Sequence, residues 1–448
     1  MTKLQATLEL HVPAVLGGAR PRSCDPYFKL RPSSVRGGLR YWFRAAVAAV
    51  LWPDHGEDAR AQDEADAQML ECMRKLEAQV FGDTAQRSRV IVLPPKGGFI
   101  DRWPIPSPNK HPGLRYLGYG LFEKGRDPER LCTRPGRGIE LELHLRDDNP
   151  KLRAAVAASL WLWTSFGGLG SRGRRGFGSM YLATLRGEDG ASAFGDLCAL
   201  QPMTETYLQQ VGRGFQMAQA AVETLILHCD KNHEKELKDL KQLAAALLEK
   251  SHVRRRPHPH VRTLAGIANL KALNEPSLCD DPLDALDYAG VLFRDFRSSI
   301  KRSRPLPDYN HVKNSLKPPY NPPPSVDRAV FGLPLNFCFR SLENAKAQFV
   351  PQTPEGMAAS KRLGSPLLFR VYALRGKRGR RKYGVALINL AEAQHSAPLL
   401  GCEIRNRRDG SIIEPSSSAL IDRFVAEALE RSKQAPRRNS RRNKRSRR

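Results

Sequence analysis

Between Leu152 and Leu185 the chain reads helix, glycine-rich loop, strand, in that order, and the order restricts what it can fold into. LRAAVAASLWLWTSF (152–166) has the length and composition of a buried helix, and MYLATL (180–185) reads as a strand. The connecting segment, GGLGSRGRRGFGS from Gly167 to Ser179, holds six glycines and three arginines in thirteen residues. Dinucleotide and P-loop sites both need the strand first and the helix after the loop. A literal GxGxxG is present at Gly168, Gly170 and Gly173, but its context is reversed, and no Gly-Lys-Ser or Gly-Lys-Thr closes the segment. Glycine lets backbone N–H groups approach a ligand closely, and arginine offers a planar fork suited to phosphate. Three arginines on one loop repel one another unless an anion is near. The loop therefore reads as a grip for a polyanionic backbone rather than a bare surface turn.

Charge points the same way. The 448 residues carry a formal net charge of +27, which implies a large acidic partner, nucleic acid ahead of an anionic membrane. Ten Lys or Arg and no acid occupy Arg431–Arg448, so this tail is expected to be disordered. No run of eighteen apolar residues exists, and the first residues lack the pattern of a secretory signal. The expectation is a cytoplasmic protein. The eight cysteines form no CxxC pair and read as free thiols, most of them buried, without a structural zinc.

Alternating Leu4, Ala6, Leu8 and Leu10 predict a half-buried first strand, with His11 at its end. In RPSSVRGGLRYWFRAAVAAVL, Ser33 or Ser34 can cap a helix running to about Leu51. On that helix Arg36, Arg40 and Arg44 fall at i, i+4 and i+8 and make one stripe, while Gly37 and Gly38 open access at its first turn. The acid-rich residues 54–77 read as an amphipathic helix whose acids face solvent. Strands are predicted over Arg89–Leu93, Leu114–Phe122 and Ile139–Leu145, and the Asp147–Asp148 pair has a helix-capping context. Together with the helix, loop and final strand this gives a βα…β…βαβ order, the ferredoxin-like plan.

Further on, GFQMAQAAVETLIL, KELKDLKQLAAALLEK and PLDALDYAGVLFRDF read as helices, and the proline-rich residues 304–324 read as an exposed connection. AVFGLPLNFCF, LLFRVYAL and VALINL read as strands of a second β-rich part. Between the last two sits RGKRGRRKYG, a basic hairpin tip carrying Lys377, Arg378, Arg380 and Arg381, and ALIDRFVAEALERS closes the chain as a helix.

RPSSVRGGLRYWFRA (31–45), EAQVFGDTAQRS (77–88), the Gly167–Ser179 loop, FRDFR (293–297), FGLPLNF (331–337) and RLGSP (362–366), taken in this order, resemble the RAMP superfamily of CRISPR RNA-binding proteins. Within it they resemble the first-numbered subunit of the Cmr (type III-B) effector complex. The resemblance implies an α+β protein of two ferredoxin-like (RRM-like) halves. Residues 1–200 would form the first half with the loop, 201–325 a helical region and proline-rich connection, 326–432 the second half, and 433–448 the basic tail. It implies a noncatalytic, cofactor-free and metal-free subunit, partnered by guide and/or target RNA near the 3′ end of the guide and by other complex subunits. Carried onto this chain, Arg36, Gly37, Arg40 and Arg44 would face RNA with Gly170, Ser171, Arg172, Gly173, Arg174 and Arg175 of the loop, and the basic hairpin would add a second contact. The competing expectation is a RAMP-type metal-independent endoribonuclease acting on CRISPR repeat RNA, with His258 or His260 as acid or base.

Overall fold

The structure, a computed structural model, describes residues 2–17, 30–51, 59–97, 100–101, 111–121, 132–136, 138–188, 191–227, 270–273, 278–298, 308–318, 321, 323, 325–351, 364–390, 400–404, 407–413 and 419–434. In chain order the first part runs β1 (Thr2–Leu10), β2 (Ala14–Val15), α1 (Pro32–Leu51), α2 (Ala59–Phe81), β3 (Val90–Val92), β4 (Lys96–Gly97), β5 (Ile100–Asp101), α3 (Pro112–Leu117), β6 (Cys132–Thr133), β7 (Gly138–Leu145), α4 (Pro150–Phe166), β8 (Met180–Arg186) and α5 (Thr204–Leu227). The second part runs β9 (Leu270–Ala272), α6 (Pro282–Ser298), α7 (Asp308–Ser315), β10 (Leu335–Phe339), β11 (Ala345–Pro351), β12 (Leu367–Arg375), β13 (Arg381–Asn389), β14 (Leu400–Ile404), β15 (Arg407–Ile413) and α8 (Ala419–Lys433).

Period-two burial builds the first sheet. β1 buries Leu4, Ala6, Leu8 and Leu10 and turns Lys3 and Gln5 outward. It lies between β7 and β8, antiparallel to both, and β3 adds outside β7, giving the order β3-β7-β1-β8. The buried faces of α1, α4 and α5 join this sheet in one core. Asn149, rather than the preceding aspartates, caps α4. Its side chain accepts from the N–H groups of Lys151 and Leu152, and Pro150 sits in the first turn, where a missing N–H costs nothing. Asp147 and Asp148 instead pair with Arg89 and Arg153. In α1, Pro32 opens the helix ahead of both serines expected to cap it.

Three expectations fail for identifiable reasons. Leu114–Phe122 is not a strand. Pro112 starts α3, the Asp287 carboxylate accepts from the N–H groups of Gly113 and Leu114, and Gly113 lies backbone-to-backbone against Gly290 of α6. Within 304–324, α7 replaces the expected open connection. Buried Asp308 at its start accepts from the N–H groups of Asp327 and Arg328. The strand read across AVFGLPLNFCF begins only at Leu335, after a 3-10 turn over Asp327–Phe331.

The second part has two sheets, β10-β11-β14-β15 and β12-β13-β9. The latter is the seam of the molecule. Leu368, Tyr372, Leu374, Ala386 and Ile388 enter the first core, while Leu367, Phe369, Val371, Val385 and Leu387 enter a second core with α3, α6 and α8. Burial on both faces explains why β12 reads as an unbroken apolar run apart from Arg370.

α1 crosses α4 where Gly38 meets the Trp163 ring. A Cβ built at Gly38 falls 2.5 Å from a ring carbon, whereas one at Gly37 meets nothing within 4 Å. Gly38→Ala is therefore expected to lower stability by about 1–3 kcal/mol through overpacking. Gly37→Ala is expected to raise it by roughly 0.5–1 kcal/mol, since alanine suits a helix interior better. Thermal and denaturant unfolding of the two variants checks the opposite signs.

Candidate nucleic-acid interface

The Gly167–Ser179 loop is a folded element bound to the chain on both sides. Ser171 N donates to Val15 O at 2.7 Å, Leu169 N to Gly178 O at 3.0 Å, Gly178 N to Pro13 O at 3.0 Å and Arg175 N to Arg172 O at 2.8 Å. Gly170, Gly176 and Gly178 have φ of +79°, +89° and +65°. A Cβ at Gly170 or Gly178 would also strike a backbone carbonyl, at 2.4 Å or 2.0 Å, so the glycines serve the loop's own packing. Arg172 holds φ +63°, where an L side chain is uncommon, at the exposed crest.

The loop's three arginines have different surroundings. Arg172 is exposed, and its guanidinium reaches the Tyr119 carbonyl. Arg174 turns inward, donating to Ser365 O at 2.8 Å and lying 5.8 Å over the Tyr41 ring, while its own carbonyl accepts from Phe369 N at 3.0 Å. Arg175 enters the second core. It donates to Phe331 O at 2.9 Å and sits 4.9 Å over Phe293. Its guanidinium is pulled down to about 9, first by burial and then by neighbouring Arg297. Arg174 and Arg175 thus hold the two cores together instead of lining an open groove with Arg172.

The α1 stripe divides in the same way. Arg40 and Arg44 both clasp Glu77 of α2, Arg44 through Nη1 at 2.8 Å from each carboxylate oxygen. Glu77 is 7% exposed, which corrects the solvent-facing expectation for this acid, whereas Glu71 of the same helix is 45% exposed as expected. Arg36, one turn earlier, has a buried Nε without a partner among the described residues. Gly37 beside it is exposed to open space. Because Gly38 packs on Trp163 and Tyr41 meets Arg174, the start of α1 and the loop share one end of the α1–α4 pair. Arg36 and Gly37 stand part-exposed and exposed near the start of α1, and Ser171 and Arg172 at the exposed crest of the loop. Tyr119, 79% exposed and held through its carbonyl by Arg172, belongs there too. Its sequence signal is an aromatic flanked by glycines (LGYGL), which a strand reading conceals.

The basic hairpin lies elsewhere. β12 carries it ~17 Å beyond Arg370, at about 3.3 Å per residue. Lys377, Arg378 and Arg380 are exposed there, with Arg378 at φ +55°. Arg381 is held by Glu9 at 2.8 Å and by the Tyr181 hydroxyl at 2.8 Å, so it ties the hairpin to β1 and β8. His11 is a core residue. It is 3% exposed, stacks on Tyr181 at 4.8 Å, and is held well below the usual histidine range by burial and then by Arg370 and Arg381. His258, His260, the helix predicted in KELKDLKQLAAALLEK and most of the basic tail lie outside the described residues. Among the described residues no helix is long and apolar enough to cross a membrane, and no group of three or more His, Cys, Asp or Glu could hold a metal ion. Of Cys72, Cys132, Cys198, Cys279 and Cys338, only Cys72 and Cys132 are buried.

A sequence model of the RAMP superfamily matches residues 7–181, which run from β1 through the loop to the start of β8. This match accompanies similarity to two curated relatives of Pyrococcus furiosus, both described as CRISPR system Cmr subunits. Cmr1-1 is 27% identical over 169 residues, 36% of this chain and 43% of the relative. Cmr1-2 is 27% identical over 195 residues, 40% of this chain and 94% of the relative. The match thus spans less than half the length of the first relative. The crystal structure of apo Cmr1 from Pyrococcus furiosus superposes with a TM-score of 0.50 at 16% identity, covering 96% of this chain and 97% of that one. The likeness in fold therefore extends well beyond the matched segment.

Two outcomes test this description. Glu77→Gln removes the charge shared by Arg40 and Arg44 and replaces one accepting oxygen with an amide N–H, and is expected to lower unfolding free energy by about 2 kcal/mol, as for a lost charged hydrogen bond. Buried neutral His11 resists protonation in the folded state, while the unfolded chain takes up the proton near pH 6.5. Its contribution is complete above that pH and falls as pH drops through it, by at most about 1.4 kcal/mol per pH unit. Comparing unfolding of the parent and His11→Phe at pH 7.5 and 5.5 isolates this component, which the variant lacks.

Proposed function

We propose that this chain is a noncatalytic RNA-binding subunit of a type III-B (Cmr) CRISPR effector complex. It would hold guide and/or target RNA near the 3′ end of the guide and act in the cytoplasm with other Cmr subunits. We also infer that its first half is ferredoxin-like, because β1, β3, β7 and β8 alternate with α1 and α4 and stand in the order second–third–first–fourth. The observation that carries the RNA reading is the rim at one end of α1 and α4. Among the described residues Arg36 has a buried Nε without a partner, Gly37 leaves open space beside it, and Ser171, Arg172 and Tyr119 stand exposed on the loops. Guanidinium groups suit phosphates, and an exposed aromatic ring suits an unstacked base.

In this reading base pairing between guide and target carries the sequence information, and the protein grips shape and phosphate. Lys377, Arg378 and Arg380 offer a second, separate contact along the strand. Arg40, Arg44, Arg174 and Arg381 support these contacts from within, with Gly170 and Gly173 shaping the loop crest.

Filter binding to single-stranded RNAs of unrelated sequence tests the reading. The double variant Arg36→Ala/Arg172→Ala is expected to weaken all of them by a similar factor and to flatten the log–log salt slope by about 0.7 per lost phosphate contact. Loss confined to certain sequences, or no loss, contradicts it. Glu77→Gln should leave RNA affinity undiminished despite its lower stability, because it removes an acid and no cation.

A further inference from the structure

Three segments far apart in the sequence converge on the second core beside the seam: the glycine-rich loop with Arg175, FRDFR with Arg297, and the approach to FGLPLNF with Arg328 and Phe331. Arg175 and Arg297 have their guanidinium carbons 4.9 Å and 5.2 Å from the centroid of the same Phe293 ring. Arg297 also lies 5.5 Å from Phe331 and 5.8 Å from Tyr116, and Arg328 lies 6.0 Å from Phe337. Among the described residues each arginine keeps a buried nitrogen without a hydrogen-bond partner: Arg175 Nη1, Arg297 Nε and Arg328 Nε.

Carboxylates do not balance the group. Among the described residues neither Arg175 nor Arg297 has an ion pair. Asp295, two residues from Arg297, is engaged by Arg294 at 2.7 Å and Arg431 at 3.5 Å. Only Arg328 has an acid, Asp308 at 3.8 Å, whose oxygens already accept two backbone N–H groups. Mutual repulsion is evident, since Arg297 acts to lower both Arg175 and Arg328. Aromatic faces offset part of a cation's charge. They do not satisfy in-plane N–H donors, and an unmatched buried donor is costly.

We propose that Arg175, Arg297 and Arg328 line a phosphate site on the second-core side of the seam, occupied by one phosphodiester of the bound RNA. This rests on the RNA reading above and extends the rim inward. Tyr116, beside Arg297, is in the same short helix–turn as Tyr119, whose carbonyl Arg172 holds. A single tetrahedral anion accepts from several guanidinium groups at once and removes the repulsion among them.

The test uses the full chain with Arg175→Met and, because Arg175 also bonds Phe331 O, the independent variant Arg297→Met. Inorganic phosphate and a mixed-sequence single-stranded RNA are the probes. Without phosphate, Arg297→Met is expected to melt above the parent, since it relieves repulsion while keeping an apolar stem on Phe293. Phosphate should raise the melting temperature of the parent and not of the variant. RNA affinity of the variant should fall about tenfold, with a salt slope shallower by about 0.7. A variant that melts below the parent and keeps both responses overturns the proposal and leaves the arginines as packing. A lost phosphate response with unchanged RNA affinity also overturns it, making free phosphate the ligand. Arg36→Ala/Arg172→Ala measured alongside separates the two readings. If that variant loses RNA and Arg297→Met does not, the seam site alone fails, whereas no change in either defeats the RNA reading itself.

Discussion

The two cores depend on Arg370. It stands on the β12 face that enters the first core, 3% exposed, and its guanidinium donates to the carbonyls of Thr164 and Gly167 at the end of α4. Those carbonyls carry the partial negative charge of a helix C-terminus and have no partner within the helix. A buried cation without a carboxylate would be expensive in most settings. Here two charge-assisted hydrogen bonds, at about 1.5–3 kcal/mol each, act together with the helix dipole. Burial draws the group down to about 9, which leaves it charged near neutral pH. The same contact fixes where α4 stops and where the glycine-rich loop begins.

From that anchor the loop acts as a joint between the cores. Phe369, next to Arg370, donates its N–H to Arg174 O, and Val371 N donates to the Ser179 hydroxyl. β12 therefore holds the loop near its middle and at its end, while β2 holds its crest through Ser171. Six glycines in thirteen residues serve this close packing between two layers. The residues left at the surface, Ser171 and Arg172, are consequently presented on a fixed backbone. Preorganised donors of this kind lose little freedom when an anion arrives.

Much of the architecture was legible from pattern alone. β1, β7, β8, α4, α6, β12, β13 and α8 follow from hydrophobic periodicity, because each buries a face or stripe that its spacing reveals. Elements decided by a distant partner were not. α3 depends on the Asp287 carboxylate 173–174 residues away, and α7 is tied to Asp327 and Arg328 through Asp308. β9 has only three residues and exists as an edge to β13. One long-range signal was visible in principle: an arginine in the middle of an apolar strand buried on both faces must reach a fixed acceptor, and Arg370 does.

The candidate site was legible in its motifs but not in which side chains they expose. Spacing at i, i+4 and i+8 puts Arg36, Arg40 and Arg44 on one stripe whether or not a partner covers them. The acid that engages two of them, Glu77, lies on another helix in a segment whose other acids gave no sign of burial. Likewise nothing in RGRR distinguishes an exposed Arg172 from an inward Arg174 and Arg175. The distinction comes from backbone geometry: the αL turn at Arg172 changes the chain's direction, and the next residues run alongside β12. Formal charge of +27 is therefore a poor measure of the surface open to a polyanion. A better guide is where a buried guanidinium nitrogen finds no acceptor among the described residues, as at Arg36 and in the Arg175, Arg297 and Arg328 group.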